Sequence, residues 1–269
     1  MPVRKKRGKI RILLFVFFAL LFAVSAARLI CIEKENRQSR ELNRDLVEMF
    51  FQEESREESE KPEAEASRQE EEPAEILPAY DFAPLLALNQ DTVGWLYIPE
   101  ADVSQPVVQG TDNEYYLHRN IRGEAEYAGA VFMDYRCEWG ISPNTVLYGH
   151  NMTDGSMFAP LKKYMEEEFG VSHPYFWYLT PEGVYRCEIF SVYLTTAGDE
   201  EYVQTEFTGG EWVRVLEEWR ERSAYAFPEV ELDAETKGLT LSTCNYAEVW
   251  EEGRQAIHAK LILVGQNQE

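Results

Sequence analysis

"TLSTCNYAEVWEEGRQAIHAKLILV", residues 240–264, decides how the chain is read. From Leu239 to Thr243, apolar and hydroxyl residues alternate with the period of a half-buried strand, which stops at Cys244. Arg254 opens a second strand-like run ten positions on. A thiol closing one strand and a guanidinium opening the next are either chemistry or coincidence. Alone, a cysteine after a strand commonly packs as a small hydrophobe. Arg254 alone reads as an ordinary surface cation beside Glu248, Glu251 and Glu252. The surrounding sequence has to decide.

Outward from this stretch, the chain from about Ile76 has the texture of a globular domain. A short helix is expected over Phe82–Leu88, then a strand around Trp95 and Tyr97. "QPVVQG", "GAVFMDY", "TVLYGHN", "FWYLTP", "VYRCEIFSVYLT", "GLTLSTC" and "AIHAKLILVG" read as further short strands. Turn residues such as Asn113, Gly123, Pro143-Asn144 and Pro181-Glu182-Gly183 separate them. Many short strands at this spacing indicate a mainly β barrel or sandwich. Helices are expected at 156–169 and 210–225. The second carries Trp212, Val215, Leu216 and Trp219 at i, i+3, i+4, i+7, an apolar face for the domain.

The 269 residues are 45% hydrophobic and carry a net charge of −22, unevenly spread. "MPVRKKRGKIR" at the start is basic and without acids, whereas the globular part offers no basic patch for nucleic acid. The basic start precedes an apolar run, and residues 10–32 are long enough to cross a bilayer if Arg28 snorkels to the interface. Basic flanking residues put the N-terminus inside and everything after residue 32 outside. A cleaved signal peptide ending near "VSAA" is the alternative, and it too exports the domain. Residues 53–75 hold eleven Glu and cannot bury a core. The organisation expected is a cytoplasmic basic tail (1–9), a signal-anchor helix (10–32), an acidic extracellular spacer (33–77) and a catalytic domain (78–269).

Of four cysteines, Cys31 falls in the apolar segment and leaves three outside, so at least one thiol is free or pairs with another chain. Cys137 and Cys187 lie in strand-like contexts as buried or surface bystanders, a disulfide between them being possible but unsupported. Among four histidines, His118 and His173 read as surface residues in loops, and His258, inside the last strand, as a packed or rim residue. His150 differs: it ends the apolar strand "NTVLYGH" and starts a loop, where scaffolds display site residues. A cysteine nucleophile needs an acid/base and a group to hold the developing oxyanion. His150 and Arg254 are the residue types that supply them. No Cys or His pair has metal-ligand spacing, and neither metal nor cofactor is expected.

Taken together, these residues resemble the class B sortases over roughly residues 80–265. "YGHNM" followed by "DGSMFAPLKKY" looks like the class B histidine segment, and "TLSTC" matches the TLxTC signature. Arg254 in "GRQAIHAKLI" sits where the family's arginine follows the cysteine. "QPVVQGTDNEYYL", "GAVFMDYR", the order His, Cys, Arg and the anchor with its acidic spacer agree as well.

The resemblance implies a closed eight-stranded β-barrel with accessory helices behind a single transmembrane helix. It implies a membrane-anchored cysteine transpeptidase of a Gram-positive cell surface. Cys244 would attack a C-terminal sorting signal, His150 would shuttle the proton, and Arg254 would hold substrate and oxyanion. Family pocket positions map onto Asn113, Leu117, Tyr202, Val203 and Ser242. The partners implied are surface proteins with an NPxTx-like signal and a peptidoglycan-precursor or pilin amine. One departure stands out: Asn245 follows the cysteine where many relatives carry an acid. A surface cysteine hydrolase without amine transfer, or an idle tethered binding domain, are the competing readings.

Overall fold

The computed structural model describes residues 3–51, 77–208, 210–245 and 253–266, and at 3–12, 244 and 245 the backbone alone. The acidic run 53–75 and the connection 246–252 lie outside the described residues. Helix α1, Val3–Phe50, runs through the basic start and the apolar segment. Residues 1–42 form one compact unit and the chain from Asn43 another. In the first unit Leu13, Phe15 and Phe22 are exposed, and the described apolar stretch from Leu13 is long enough to cross a membrane.

Eight strands form the second unit among the described residues: β1 Thr92–Ile98, β2 Val103–Val108, β3 Val131–Met133, β4 Asn144–Tyr148, β5 Tyr175–Leu179, β6 Gly183–Thr196, β7 Gly238–Asn245 and β8 Gly253–Gln266. They close into a barrel in the order β1-β2-β3-β4-β7-β8-β6-β5, with β2/β3 and β4/β7 parallel and the other pairs antiparallel. The sequence alternation decides which side is which. Leu239, Leu241, Ile257 and Ala259 join Val146, Leu147, Ile189 and Val192 in the main core. Their neighbours Ala256, Phe190 and Tyr193 face the opposite way into a second cluster with Trp212, Val215, Leu216 and Trp219 of α4, Glu211–Arg222. β6 and β8 are thus covered on both faces, which explains why "CEIFSVYL" reads as a nearly continuous apolar run.

The expected helix at 156–169 is instead two pieces. A 3-10 segment, Ala159–Met165, with Pro160 in its first turn, gives way at Glu166 to extended backbone (φ −93°, ψ 115°) before the short α3, Glu167–Ser172. One extended residue breaks the i→i−4 ladder, so the pieces cannot fuse. The short helix after Phe82 is α2, Ala83–Leu88.

The end of α1 is built into the barrel unit. Phe50 is fully buried, stacks on Trp95 with ring centroids 4.2 Å apart, and meets Phe82 edge-on at 4.9 Å. Residues 43–51 therefore group with the barrel although they fall within the stretch expected as spacer. Phe50→Ala should lower unfolding stability by about 3 kcal/mol in chemical denaturation followed by tryptophan fluorescence. An unchanged midpoint would show that this aromatic contact carries no stability.

Candidate active site

Register brings the two residues of the opening stretch together. On β7 and β8, Cys244 is the cross-strand partner of Arg254, and across β6 Arg254 is also opposite Thr195. Directly opposed residues in an antiparallel pair have Cβ atoms about 5 Å apart. Ser242 lies two residues before Cys244 on β7 and pairs with Tyr148 of β4. Two residues past Tyr148, beyond the end of β4, stands His150.

A groove of about 210 Å³ opens here, lined by Asn113, Leu117, His150, Tyr202, Ser242 and Arg254, together with Phe132, Tyr148, Gly149 and Thr243. Every expected site residue with a described side chain contributes to it except Val203. Val203 instead bridges the two apolar clusters from the side. Tyr202 is buried and its hydroxyl bonds to Ser242 Oγ at 3.0 Å, closing one wall against β7.

His150 is held from three sides. The backbone before it needs Gly149, because a Cβ there would meet the Phe158 ring at 2.7 Å. The Phe158 N–H donates to the His150 carbonyl at 2.9 Å. Its own Nε2 lies 2.8 Å from the Leu117 carbonyl, which can only accept, so Nε2 carries the proton and Nδ1 keeps the lone pair. Burial pushes the His150 pKa below the ordinary 6.5, the Leu117 carbonyl opposes this, and neighbouring His118 adds to it. The resting ring is a neutral base with its proton parked on the far nitrogen.

Three residues that sequence reasoning missed hold the groove's walls in register. The Asp134 side chain has 0% exposure. It accepts from Arg136 Nε at 2.9 Å and Nη2 at 2.7 Å, from Tyr148 OH at 2.9 Å and from Asn113 Nδ2 at 3.0 Å. Arg136 continues the link to the Val203 carbonyl at 3.3 Å. Burial alone would raise the Asp134 carboxyl, yet the donors from Arg136, Tyr148 and Asn113 hold it below its ordinary 3.8. One buried carboxylate therefore joins the wall carrying Asn113, the floor at Tyr148 and the wall at Val203. The only signal in sequence is the Asp-x-Arg spacing of "MDYR".

The other thiols are placed otherwise. Cys137 and Cys187 are both buried and free, so no disulfide joins them. Burial pushes the Cys137 thiol up to about 12 and the Cys187 thiol well above its ordinary value. His258 is packed, not at a rim: its Nδ1 meets Thr240 Oγ1 and its Nε2 meets Tyr193 OH, both at 2.9 Å, with its ring stacked on Trp219. His118 is exposed and His173 half-buried. Among the described residues no group of three or more His, Cys, Asp or Glu could hold a metal.

Comparison with known proteins finds the same family and fold repeatedly. Residues 96–262, a span containing His150, Cys244 and Arg254, match the sortase domain family model. Sortase B of Listeria monocytogenes is 42% identical over 184 residues, covering 68% of this chain and 74% of the relative. Sortase B from Bacillus anthracis in complex with AAEK1 has a TM-score of 0.62 at 42% identity, covering 68% of this chain and 84% of that one. The Staphylococcus aureus sortase B–substrate complex gives 0.63 at 32% identity, covering 68% and 85%.

Two outcomes follow for this groove. Asp134→Asn should raise KM for a cleaved peptide about tenfold, the equivalent of 1.4 kcal/mol of binding, and move kcat less. A fall in kcat with KM unchanged would remove Asp134 from substrate positioning. Titration of the His150 ring by NMR should give a midpoint below 6.5, because the fold favours the neutral form. The same preference costs stability as pH falls below 6.5, since the unfolded state then binds the proton more readily.

Proposed function

The chain belongs to the sortase family, in its class B branch, and on that premise we propose how this cysteine transpeptidase works. Cys244 is the nucleophile. Its thiol passes its proton to His150, and the resulting thiolate attacks the carbonyl carbon of the residue before the scissile bond in a C-terminal sorting signal. Arg254, opposite it across the β7–β8 ladder, stabilises the tetrahedral oxyanion as a fixed cation. His150 delivers a proton to the departing amine, which leaves with the C-terminal tail, and a thioacyl bond to Cys244 remains. An incoming primary amine then attacks the thioester carbonyl and His150 removes its proton. An amide forms and the thiolate is released.

The observation that carries this assignment is the cross-strand pairing of residues 244 and 254 beside a groove that also presents His150. Elimination supports it: Cys137 and Cys187 are buried with raised pKa values, and Cys31 lies in the apolar helix. Asn113, Leu117, Tyr202 and Ser242 line the groove where the sorting signal binds, and Val203 backs its outer wall. The signal is of the NPxTx type and the acceptor is a peptidoglycan-precursor or pilin amine. Helix α1 anchors the protein in the cell membrane with its N-terminus in the cytoplasm, as its basic start and apolar run favour. The catalytic domain then works on the outer side of a Gram-positive cell.

An NPxTx-type peptide incubated with the full chain should leave an acyl adduct on residue 244 in peptide mapping by mass spectrometry. Cys244→Ala should form none and turn over no peptide. Arg254→Ala should lose about 10²–10³ in kcat, the usual cost of removing one oxyanion donor. Turnover by Cys244→Ala near the normal rate would refute the mechanism. Product carrying water in place of an added amine would make the enzyme a hydrolase.

A further inference from the structure

Two exposed rings sit against His150 outside the sorting-signal groove. His118 lies 5.7 Å from the His150 ring centroid with planes 19° apart, and Tyr127 lies 6.1 Å away at 10°. The two are 6.3 Å from each other at 21°, so three rings stand nearly parallel around one point. Tyr127 is 67% exposed, the most of any tyrosine among the described residues, and neither it nor His118 lines the groove. They form an open aromatic surface contiguous with the acid/base on its solvent side.

Microscopic reversibility says what that surface faces. The amine that leaves in the first half-reaction and the amine that enters in the second exchange their proton with the same nitrogen of His150. Both must occupy the His150 side of Cys244, away from the groove that holds the acyl portion. An amine-bearing chain emerging from that point meets the rings of Tyr127 and His118. Aromatic faces suit such a chain, since they contact its methylenes and attract an ammonium group before its proton is lost. In the loop leading into Tyr127 the carboxylates of Glu126 and Glu124 share Asn120 Nδ2 at 2.8 and 3.2 Å, and Arg119 and Arg122 balance their charge, so the attraction for the chain rests on the ring faces. Arg119 of the same loop is occupied over the Tyr115 ring, 5.0 Å from its centroid.

We propose that Tyr127 and His118 form the docking platform for the acceptor, a peptide branch ending in a primary amine. The proposal rests on the transpeptidase reading above and adds where the second substrate binds. The chemistry is that already written: the amine nitrogen bonds to the thioester carbon, the C–S bond breaks, and the proton goes to His150.

The test uses the full chain in detergent micelles with an NPxTx-type peptide and three nucleophiles. Triglycine and a lysyl peptide reacting through its ε-amine are long enough to touch the platform, and hydroxylamine is too small. The readout is the ratio of amide (or hydroxamate) product to hydrolysis product. In Tyr127→Ala the ratio for the peptide amines should fall, relative to that for hydroxylamine, by at least about threefold, as expected for one exposed aromatic contact. Tyr127→Phe should restore it, because the ring face and not the hydroxyl makes the contact. A smaller relative fall, or equal falls for all three nucleophiles, would overturn the platform and reduce Tyr127 to a support for His150. If the wild type transfers to none of the amines, the transpeptidase reading fails and this one with it. Transfer by the wild type with an insensitive ratio sinks the platform alone.

Discussion

The register of β7 against β8 is the constraint from which the rest of the site follows. Side chains on a strand alternate faces, so a slip of one residue would turn Leu241 from the barrel interior towards α4 and set residue 244 opposite residue 253 or 255 in place of Arg254. The slip is opposed by the whole length of both strands. Leu239, Leu241, Ile257 and Ala259 belong to the inner core, and Ala256 and His258 belong to the layer beneath α4. Each residue moved to the wrong side would expose apolar area or bury an unpaired polar group, at roughly 1–3 kcal/mol apiece. The pairing of residue 244 with residue 254 therefore inherits its precision from packing several residues away. β6 on the other flank of β8 reinforces it, because Thr195 stands opposite Arg254 from that side.

Electrostatics then sorts the titratable groups into working and structural ones. Cys137, Cys187 and His258 are sealed in apolar surroundings that favour their neutral forms, which leaves them inert. His150 is only half-buried, and its proton is fixed on Nε2 by the Leu117 carbonyl. Leu117 thus serves twice: its side chain lines the groove and its carbonyl sets the tautomer. Asp134 is the opposite case, a fully buried charge kept ionised by its donors. Burial is costly for such a group unless every lone pair is used, and here two arms of Arg136, a phenol and an amide use them.

Much of this was legible from residues alone. The eight strands follow from alternation and turn chemistry, and the class B pattern names His150, Cys244 and Arg254 together. What escaped has a common physical cause. Phe50 looks like any apolar residue at the start of an acidic stretch, and only a tertiary partner, Trp95, shows that the helix ends inside the barrel unit. Asp134 looks like any carboxylate in an acidic chain, since local sequence does not reveal which acids are buried. The break at Glu166 arises from a single extended residue amid good helix formers, where tertiary packing overrides propensity. Val203 was read as pocket lining, yet it backs the wall that Tyr202 faces. Facing of a loop residue has no periodicity to betray it.

The origin of each part of the site suggests how its roles divide. Residues 244 and 254 come from paired strands covered on both faces, which tolerate little change in geometry. Asn113, Leu117, Tyr202 and Val203 come from loops and 3-10 turns, which tolerate a good deal. Such a division lets the chemistry stay fixed while the recognised signal varies. It also creates a hazard, since loops anchored only at their ends would let the groove breathe. The Asp134–Arg136 pair answers it by tying the Asn113 turn and the Val203 turn to Tyr148 on β4, the strand that leads into His150. A change in either recognition loop is therefore felt at the acid/base through one carboxylate. Selectivity for the sorting signal and the placement of His150 are coupled by that link, so substitutions in the loops should be read for their effect on both.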